Sequence, residues 1–166
     1  FLVDPRLTET ARGAIPVDEY AGSGGGWLPL VCTMNVTVST ELTRELLGLS
    51  VAELNDLASA AATGAGGILL LPYFNGERTP ALPNAKAVSF GLTSTNYRPA
   101  NLARASMEGA TLGLRYGLNV LRQQGITPAD IRLVGGGAKS PLWRQMVADV
   151  FDCPVVCPQS PEAGAV

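Results

Sequence analysis

Three consecutive glycines, Gly135-Gly136-Gly137, lie between an apolar run, Ile131-Arg132-Leu133-Val134, and the segment Lys139-Ser140-Pro141-Leu142-Trp143. The order reads as strand, glycine turn, helix. Ser140 is a good N-cap, and Pro141 suits the first helical position because it has no N–H to leave unpaired. A helix N-terminus presents free N–H groups and the positive end of the helix dipole, so it attracts anions. Glycines directly before it remove the Cβ atoms that would hold a phosphate or a flat base away from the main chain. Two familiar phosphate motifs fail on spacing. A P-loop needs Gly immediately before Lys and another five residues before that one, where this chain has Ala138 and Leu133. A dinucleotide fingerprint would place its third glycine where Ser140 stands, and Asp152 and Glu162 are poorly spaced for the ribose. Spacing alone leaves an anion or nucleotide site and a plain structural turn as open readings.

Other chemistry-bearing residues read more plainly as structure. Glu77 and Arg78 sit in a loop with two prolines, Pro80 and Pro83, between Tyr73 and Asn84, where an internal ion pair or hydrogen bonds would fix the loop. Arg104 and Glu108, four residues apart, predict a helix-face pair, worth a few tenths of a kcal/mol when exposed. Trp143 predicts core packing, with an adenine border as the second reading.

The elements that would position these residues follow from periodicity. Leu42, Leu46 and Leu49 form one face of a helix beginning near Ser39 and stopping near Gly48. Ser50 with Glu53 is a capping box that opens a second helix running to about Ala62. Ile68 to Leu71 is all apolar and predicts a strand buried on both faces; Val88 to Phe90 predicts another, ended by Gly91. The longest helix runs from Pro99 to Gly125, and along it Ala105, Gly109, Gly113 and Gly117 recur every fourth residue. Three interior glycines cost roughly 3 kcal/mol relative to alanine, which predicts close packing against that ridge, with Leu114, Leu118 and Leu121 on the adjacent face. Thr127 to Asp130 predicts a short helical turn, and Ile131 to Val134 a buried strand. Residues 1–29, with Gly22-Ser23-Gly24-Gly25-Gly26, read as a weak strand or two and a mobile loop. Alternating strands and helices indicate an α/β class with a partly parallel sheet.

Composition narrows the partners. With 166 residues, 46% hydrophobic and 16% charged, the chain has the makings of one domain with a sizeable core, and the low charge hints at a neighbour. A net charge of −2 supplies no basic stripe for nucleic acid or anionic lipid. Three cysteines without a secretory pattern, no histidine and no C-x-x-C argue against a disulfide framework or a zinc site and fit a reducing cytoplasm. No metal ligand set is expected. The start, Phe1-Leu2-Val3-Asp4-Pro5-Arg6, lacks a methionine and a basic n-region, and the end, Pro161-Glu162-Ala163-Gly164-Ala165-Val166, reads as a helix just beginning. The expectation is one domain, 1–166, that is a piece of a longer protein.

Four motifs together resemble a known family. Leu71-Pro72-Tyr73-Phe74-Asn75-Gly76-Glu77-Arg78-Thr79-Pro80, then Phe90-Gly91-Leu92-Thr93, then Leu102 to Gly109, then Gly135 to Met146, occur in the order and spacing of FGGY carbohydrate kinases, with wording closest to the xylulokinase branch. Two departures are Ala81 after Pro80, where histidine is frequent, and Ala87-Val88 where a glycine-containing stretch is expected. The resemblance implies an actin-like ATPase fold, with two ribonuclease-H-like domains hinged around a cleft and a mixed sheet flanked by helices. This chain would be most of the second, C-terminal domain. The resemblance places Gly136, Gly137 and Ala138 beneath adenine and ribose with Lys139, Ser140 and Pro141 flanking, brings Gly91 and Thr93 toward the ATP phosphates, and makes Pro161 to Ala165 the opening of the hinge helix. It implies Mg-ATP as phosphoryl donor and D-xylulose as acceptor, giving D-xylulose 5-phosphate. It also implies that the catalytic aspartate and most sugar contacts belong to a first domain with no counterpart here. No catalytic or sugar-binding residue is therefore assigned, and the isolated chain is expected to bind ATP weakly and phosphorylate nothing. Glycerol, gluconate or ribulose as the acceptor, or a non-catalytic regulatory nucleotide module, are the alternatives.

Overall fold

The computed structural model describes residues 18–21 and 27–158, with side chains from residue 29 onward. The glycine loop at 22–26 and the hinge-helix segment at 161–165 lie outside the described residues.

The fold is organised around one long helix. α3 (Pro99–Gln123) receives α1 (Val36–Leu46), α2 (Val51–Ser59), β3 (Leu69–Leu71) and α4 (Pro141–Phe151) on its sides. It starts where the sequence places it: Arg98, restricted to extended backbone by the following proline, has φ −130° and ψ 145°. It ends in a Schellman motif. Gly125 takes φ +85°, its N–H donates to the Arg122 carbonyl, and the Ile126 N–H reaches back to the Leu121 carbonyl at 3.1 Å.

That closure also corrects the helical turn expected at Thr127–Asp130, which is irregular. Buried Ile126 ends the motif, and the four residues after it include a proline without an N–H to donate.

Strands are short and pair two at a time among the described residues, so the mixed sheet exists as separate ribbons. β1 (Asp18–Ala21) and β2 (Trp27–Leu30) are antiparallel, as are β3 and β4 (Val88–Phe90), with Leu69 opposite Phe90 and Leu71 opposite Val88. β5 (Ile131–Arg132) and β6 (Val155–Val156) are parallel. Two expectations change here. β3 is covered on one side only: Leu69 is 48% and Phe90 53% exposed, while Ile68, just before the strand, is buried. β5 stops at Arg132, half-buried at Ile131 and exposed at Arg132.

α1 begins at Val36, three residues before the expected start, and its leucine face is not core. Leu42 is 41% and Leu46 80% exposed, whereas Ser39 and Thr40 are buried. Ser39 Oγ donates to the Ser106 carbonyl of α3 at 3.1 Å, and helices meeting at hydrogen-bonding distance leave no room for a leucine between them. α2 carries the predicted capping box, with Ser50 N donating to Glu53 Oε2 at 2.8 Å and Glu53 N to Ser50 Oγ at 3.3 Å. It ends at Ser59 rather than Ala62.

Three apolar clusters line α3, a small one of Ala65, Ile68 and Ala105 on the β3 side and two larger ones. Leu54, Ala58, Ala103, Met107 and Met146 join α2, α3 and α4, and Leu118, Val147, Phe151 and Cys153 join the far end of α3 to α4 and β6. Trp143 packs against both. The glycine ridge explains itself at two of its three glycines. A Cβ on Gly109 would run into the Leu70 carbonyl, and one on Gly117 would stand 2.5 Å from Val31 Cγ1, but Gly113 faces open space.

The Arg104–Glu108 helix-face pair forms, and it is largely buried rather than exposed. Their side chains are 9% and 15% exposed and meet at 2.7 Å. Arg104 also donates to the Ala61 carbonyl and Thr63 Oγ1, each at 3.0 Å, and Glu108 accepts from Gly64 N at 3.0 Å. The pair clamps the α2–β3 connection onto α3, so its burial follows from contacts more than 40 residues away in sequence.

Candidate functional site

Strand, glycine turn and helix appear as the sequence predicts, and the three glycines divide into different roles. Gly135 has φ +83° and ψ −165°, a region essentially restricted to glycine. Gly136–Lys139 then forms a 3-10 turn, with Ala138 N bonded to the Gly135 carbonyl and Ser140 N to that of Gly137. Gly137 lies on the Trp143 indole, where a Cβ would stand 3.4 Å from Cε3. Gly136 has ordinary backbone, and a Cβ there would meet nothing within 4 Å, so neither conformation nor packing requires a glycine. The space above it is open. Ala138 is buried below the turn, while Lys139 and Pro141 are exposed.

The turn is held from beneath. Ser140, 7% exposed, accepts from Trp143 N at 3.1 Å as the N-cap of α4, and its hydroxyl donates to Asn55 Oδ1 of α2 at 2.6 Å. Trp143 Nε1 donates to Thr111 Oγ1 of α3 at 2.9 Å. Core packing is thus the role of Trp143, and the Ser140 hydroxyl is engaged within the protein on both its donor and acceptor sides. α4 has its opposite end tied as well: Arg115 and Arg122 of α3 both donate to the Phe151 carbonyl.

Gly91 and Thr93 form a second group on the loop leading into α3. Gly91 has φ +76°, and a Cβ there would collide with the Gly67 carbonyl. Thr93 N donates to Asn96 Oδ1 at 2.7 Å and Thr93 Oγ1 accepts from Asn96 N at 3.2 Å. Asn96 Nδ2 donates to the Gly91 and Gly66 carbonyls at 2.7 and 3.0 Å, and Asn101 Nδ2 to the Asn96 carbonyl at 2.8 Å. Asn96 therefore shapes this loop, and sequence reasoning missed it. The signal was present as Thr-x-x-Asn, a spacing at which side chains and backbone bond reciprocally. Asn55 was missed for want of any signal, since an asparagine inside a helix announces no distant partner.

No hydrogen bond among the described residues joins the two groups directly. Both are mounted on α3, through Asn101 and Thr111, ten residues or about 15 Å apart along the helix axis. Arg104 and Glu108 lie between these anchors and fix the connection that leads to Gly66 and Gly67.

Glu77 is 4% exposed and accepts from Met34 N, Asn35 Nδ2 and Arg78 N at 2.8, 3.0 and 2.8 Å. Hydrogen bonds, rather than an ion pair, fix the proline-rich loop, and Arg78 turns outward with Nη1 3.4 Å from Cys32 Sγ. Burial, with added repulsion from the Glu77 charge and Tyr116, raises Tyr73 above the usual tyrosine range.

The profile described as the FGGY family of carbohydrate kinases, C-terminal domain, matches residues 20–166. The xylulose kinase of Haemophilus influenzae is 53% identical over 150 residues, which cover 90% of this chain and 30% of that protein. The crystal structure of xylulose kinase from Bifidobacterium adolescentis superposes with a TM-score of 0.81 at 41% identity, over 88% of this chain and 29% of that one. That of gluconate kinase from Lactobacillus acidophilus gives 0.73 at 28% identity, over 82% and 28%. The chain thus spans less than a third of the length of these relatives.

Proposed function

Because the chain belongs to the FGGY family of carbohydrate kinases and has the actin-like ATPase fold of their C-terminal domain, we propose that it forms the adenosine-binding wall of an ATP-dependent sugar kinase. The observation that carries this reading is the glycine turn before α4. Gly136 is a glycine that the protein itself does not need, left with open space above it at the mouth of a helix. Gly136 and Gly137 would lie against adenine and ribose, with Ala138 buried beneath them, Lys139 and the exposed Pro141 at the rim, and Ser140 holding the turn from below. Gly91 and Thr93 would approach the phosphates. The two groups are anchored about 15 Å apart on α3, of the order of the length of an extended nucleoside triphosphate.

The whole enzyme, in this proposal, transfers the γ-phosphoryl group of ATP to a hydroxyl of D-xylulose, in the cytoplasm. Phosphoryl transfer rests mainly on positioning and charge stabilisation, so a base on one domain and a nucleotide cradle on the other must close together. This chain, one domain over 1–166, supplies the cradle; an N-terminal kinase domain supplies the base and most of the sugar site. Mg2+ would accompany the nucleotide's phosphates and be held mainly with the N-terminal domain. Xylulose is favoured by the 53% identical relative, and the gluconate kinase likeness makes gluconate the second acceptor to assay.

Gly136→Val in the full-length kinase tests the reading. Calorimetry with Mg-ATP is expected to show affinity lowered tenfold or more, about 1.4 kcal/mol or greater, with sugar affinity unchanged. Wild-type ATP affinity in this variant would sink the assignment.

A further inference from the structure

Among the described residues, the hydrogen bonds of the glycine turn and its Ser140 cap lie within their own strand–turn–helix unit, with one exception. Asn55, in the middle of α2, reaches across 85 residues of sequence to hold Ser140, the residue at which the turn becomes α4.

The hydrogen bonds around Asn55 have a single consistent direction. Its Nδ2 donates to the Val51 carbonyl one helical turn back at 2.8 Å, which leaves Oδ1 as the atom facing Ser140. The Ser140 hydroxyl must therefore donate, and its lone pair is left to accept from Trp143 N. A side chain bonded to its own helix is oriented before it meets its partner, so little further order is lost in making the 2.6 Å contact. Ser140 is buried, which removes water as a substitute acceptor for its proton. Ser140 N in turn bonds to the Gly137 carbonyl, so the position of Ser140 is transmitted to the turn through one peptide.

We propose that Asn55 is a positioning residue for nucleotide binding: through Ser140 it sets the height of the Gly136–Lys139 turn over α2 and α3, and with it the fit of the adenosine moiety. The inference rests on the nucleotide reading of the turn and deepens it. Asn55 touches no ligand in this account. Its effect passes through Ser140, so the two residues act as a unit and their effects on nucleotide affinity are coupled. α2 thereby becomes part of the nucleotide site through Ser140.

The test is a double-mutant cycle in the full-length kinase, with Asn55→Ala, Ser140→Ala and the double variant. Dissociation constants for Mg-ATP and for the sugar are measured by calorimetry, beside thermal melts and the Gly136→Val variant. Alanine suits the α2 interior, so Asn55→Ala is expected to fold. Loss of one buried hydrogen bond predicts Mg-ATP affinity about fivefold weaker. Sugar affinity should stay at the wild-type value, and the double variant should be no weaker for ATP than Ser140→Ala alone. Additive effects on ATP affinity, or equal weakening toward sugar and ATP, would assign Asn55 a general structural role and overturn the proposal. Wild-type ATP affinity in Asn55→Ala, with Gly136→Val weakened, removes this inference and leaves the nucleotide site standing. Wild-type affinity in both variants removes the two together.

Discussion

In the interior of α3, Gly109 lies against the Leu70 carbonyl and Gly117 against Val31; in the turn before α4, Gly136 lies against nothing within 4 Å. The same residue type is used in opposite ways. In α3 the absent side chain is replaced by other parts of the protein, β3 and the segment after β2, which pack into the gap. At the turn the gap is left open, with Trp143 and Ser140 supporting it from the inner side. Gly109 and Gly117, whose missing Cβ is filled, report on folding; Gly136, unfilled in the turn before a helix, is the position we read as open to a guest, whereas Gly113, unfilled on the flank of α3, is simply spare space. Stability and nucleotide affinity should therefore separate cleanly between the two regions.

The largest effect is expected from loosening the α3 side. Arg104→Ala removes one half of a buried pair and strands the Glu108 carboxylate beside the α2–β3 connection, with an expected loss of about 3–5 kcal/mol. Urea unfolding measures it, and a loss below about 1 kcal/mol, the scale of an exposed pair, would break the picture of a clamp.

Next in size is the glycine ridge itself. Gly109→Ala forces a methyl against backbone that has no flexible atom to move, and is expected to cost about 1–3 kcal/mol. Gly113→Ala, one turn away with open space around it, is expected to gain up to about 1 kcal/mol from helix propensity. Equal melting temperatures for the two variants would contradict the division between filled and open glycines.

The smallest effect concerns α2, which carries Asn55. Hydrogen bonds from the backbone and side chain of Ser50 hold the Glu53 carboxyl below its usual range. A carboxylate with a lowered folded-state pKa contributes stability above the unfolded-state value and loses it as the pH falls through the folded-state value. Glu53→Gln, which keeps the capping geometry but does not titrate, should flatten the acid limb of stability against pH. An unchanged acid limb would show that the capping box carries no proton linkage.

Much of the fold was legible because its signals are local. Pro99 and Gly125 bracket α3 within two residues, the Ser50–Glu53 box opens α2 as expected, and Ser140-Pro141 opens α4. The candidate site was legible in outline for the same reason: a glycine turn between a strand and a capped helix is written in a dozen consecutive residues. Leu42 and Leu46 misled because periodicity reports that a helix has an apolar face and not which face a neighbour covers. Here the close neighbour is α3, met through Ser39, and hydroxyl contact excludes leucine. Ile68 to Leu71 misled in a similar way, since an apolar run states that burial is available without saying on how many sides it occurs.

The chain's sequence by itself determined the limits of α3, the starts of α2 and α4 with their caps, the glycine turn and the family, because each depends on residues within a few positions of one another or on motifs held in fixed order. Only the tertiary structure decided that Arg104 is buried with Glu108 largely covered beside it, that Asn96 shapes the Gly91 loop, and that Asn55 holds Ser140. Those roles depend on partners 30 to 85 residues away. A side chain's type states what it can bond, but its partner is chosen by the packing of α2, α3 and α4 around one another.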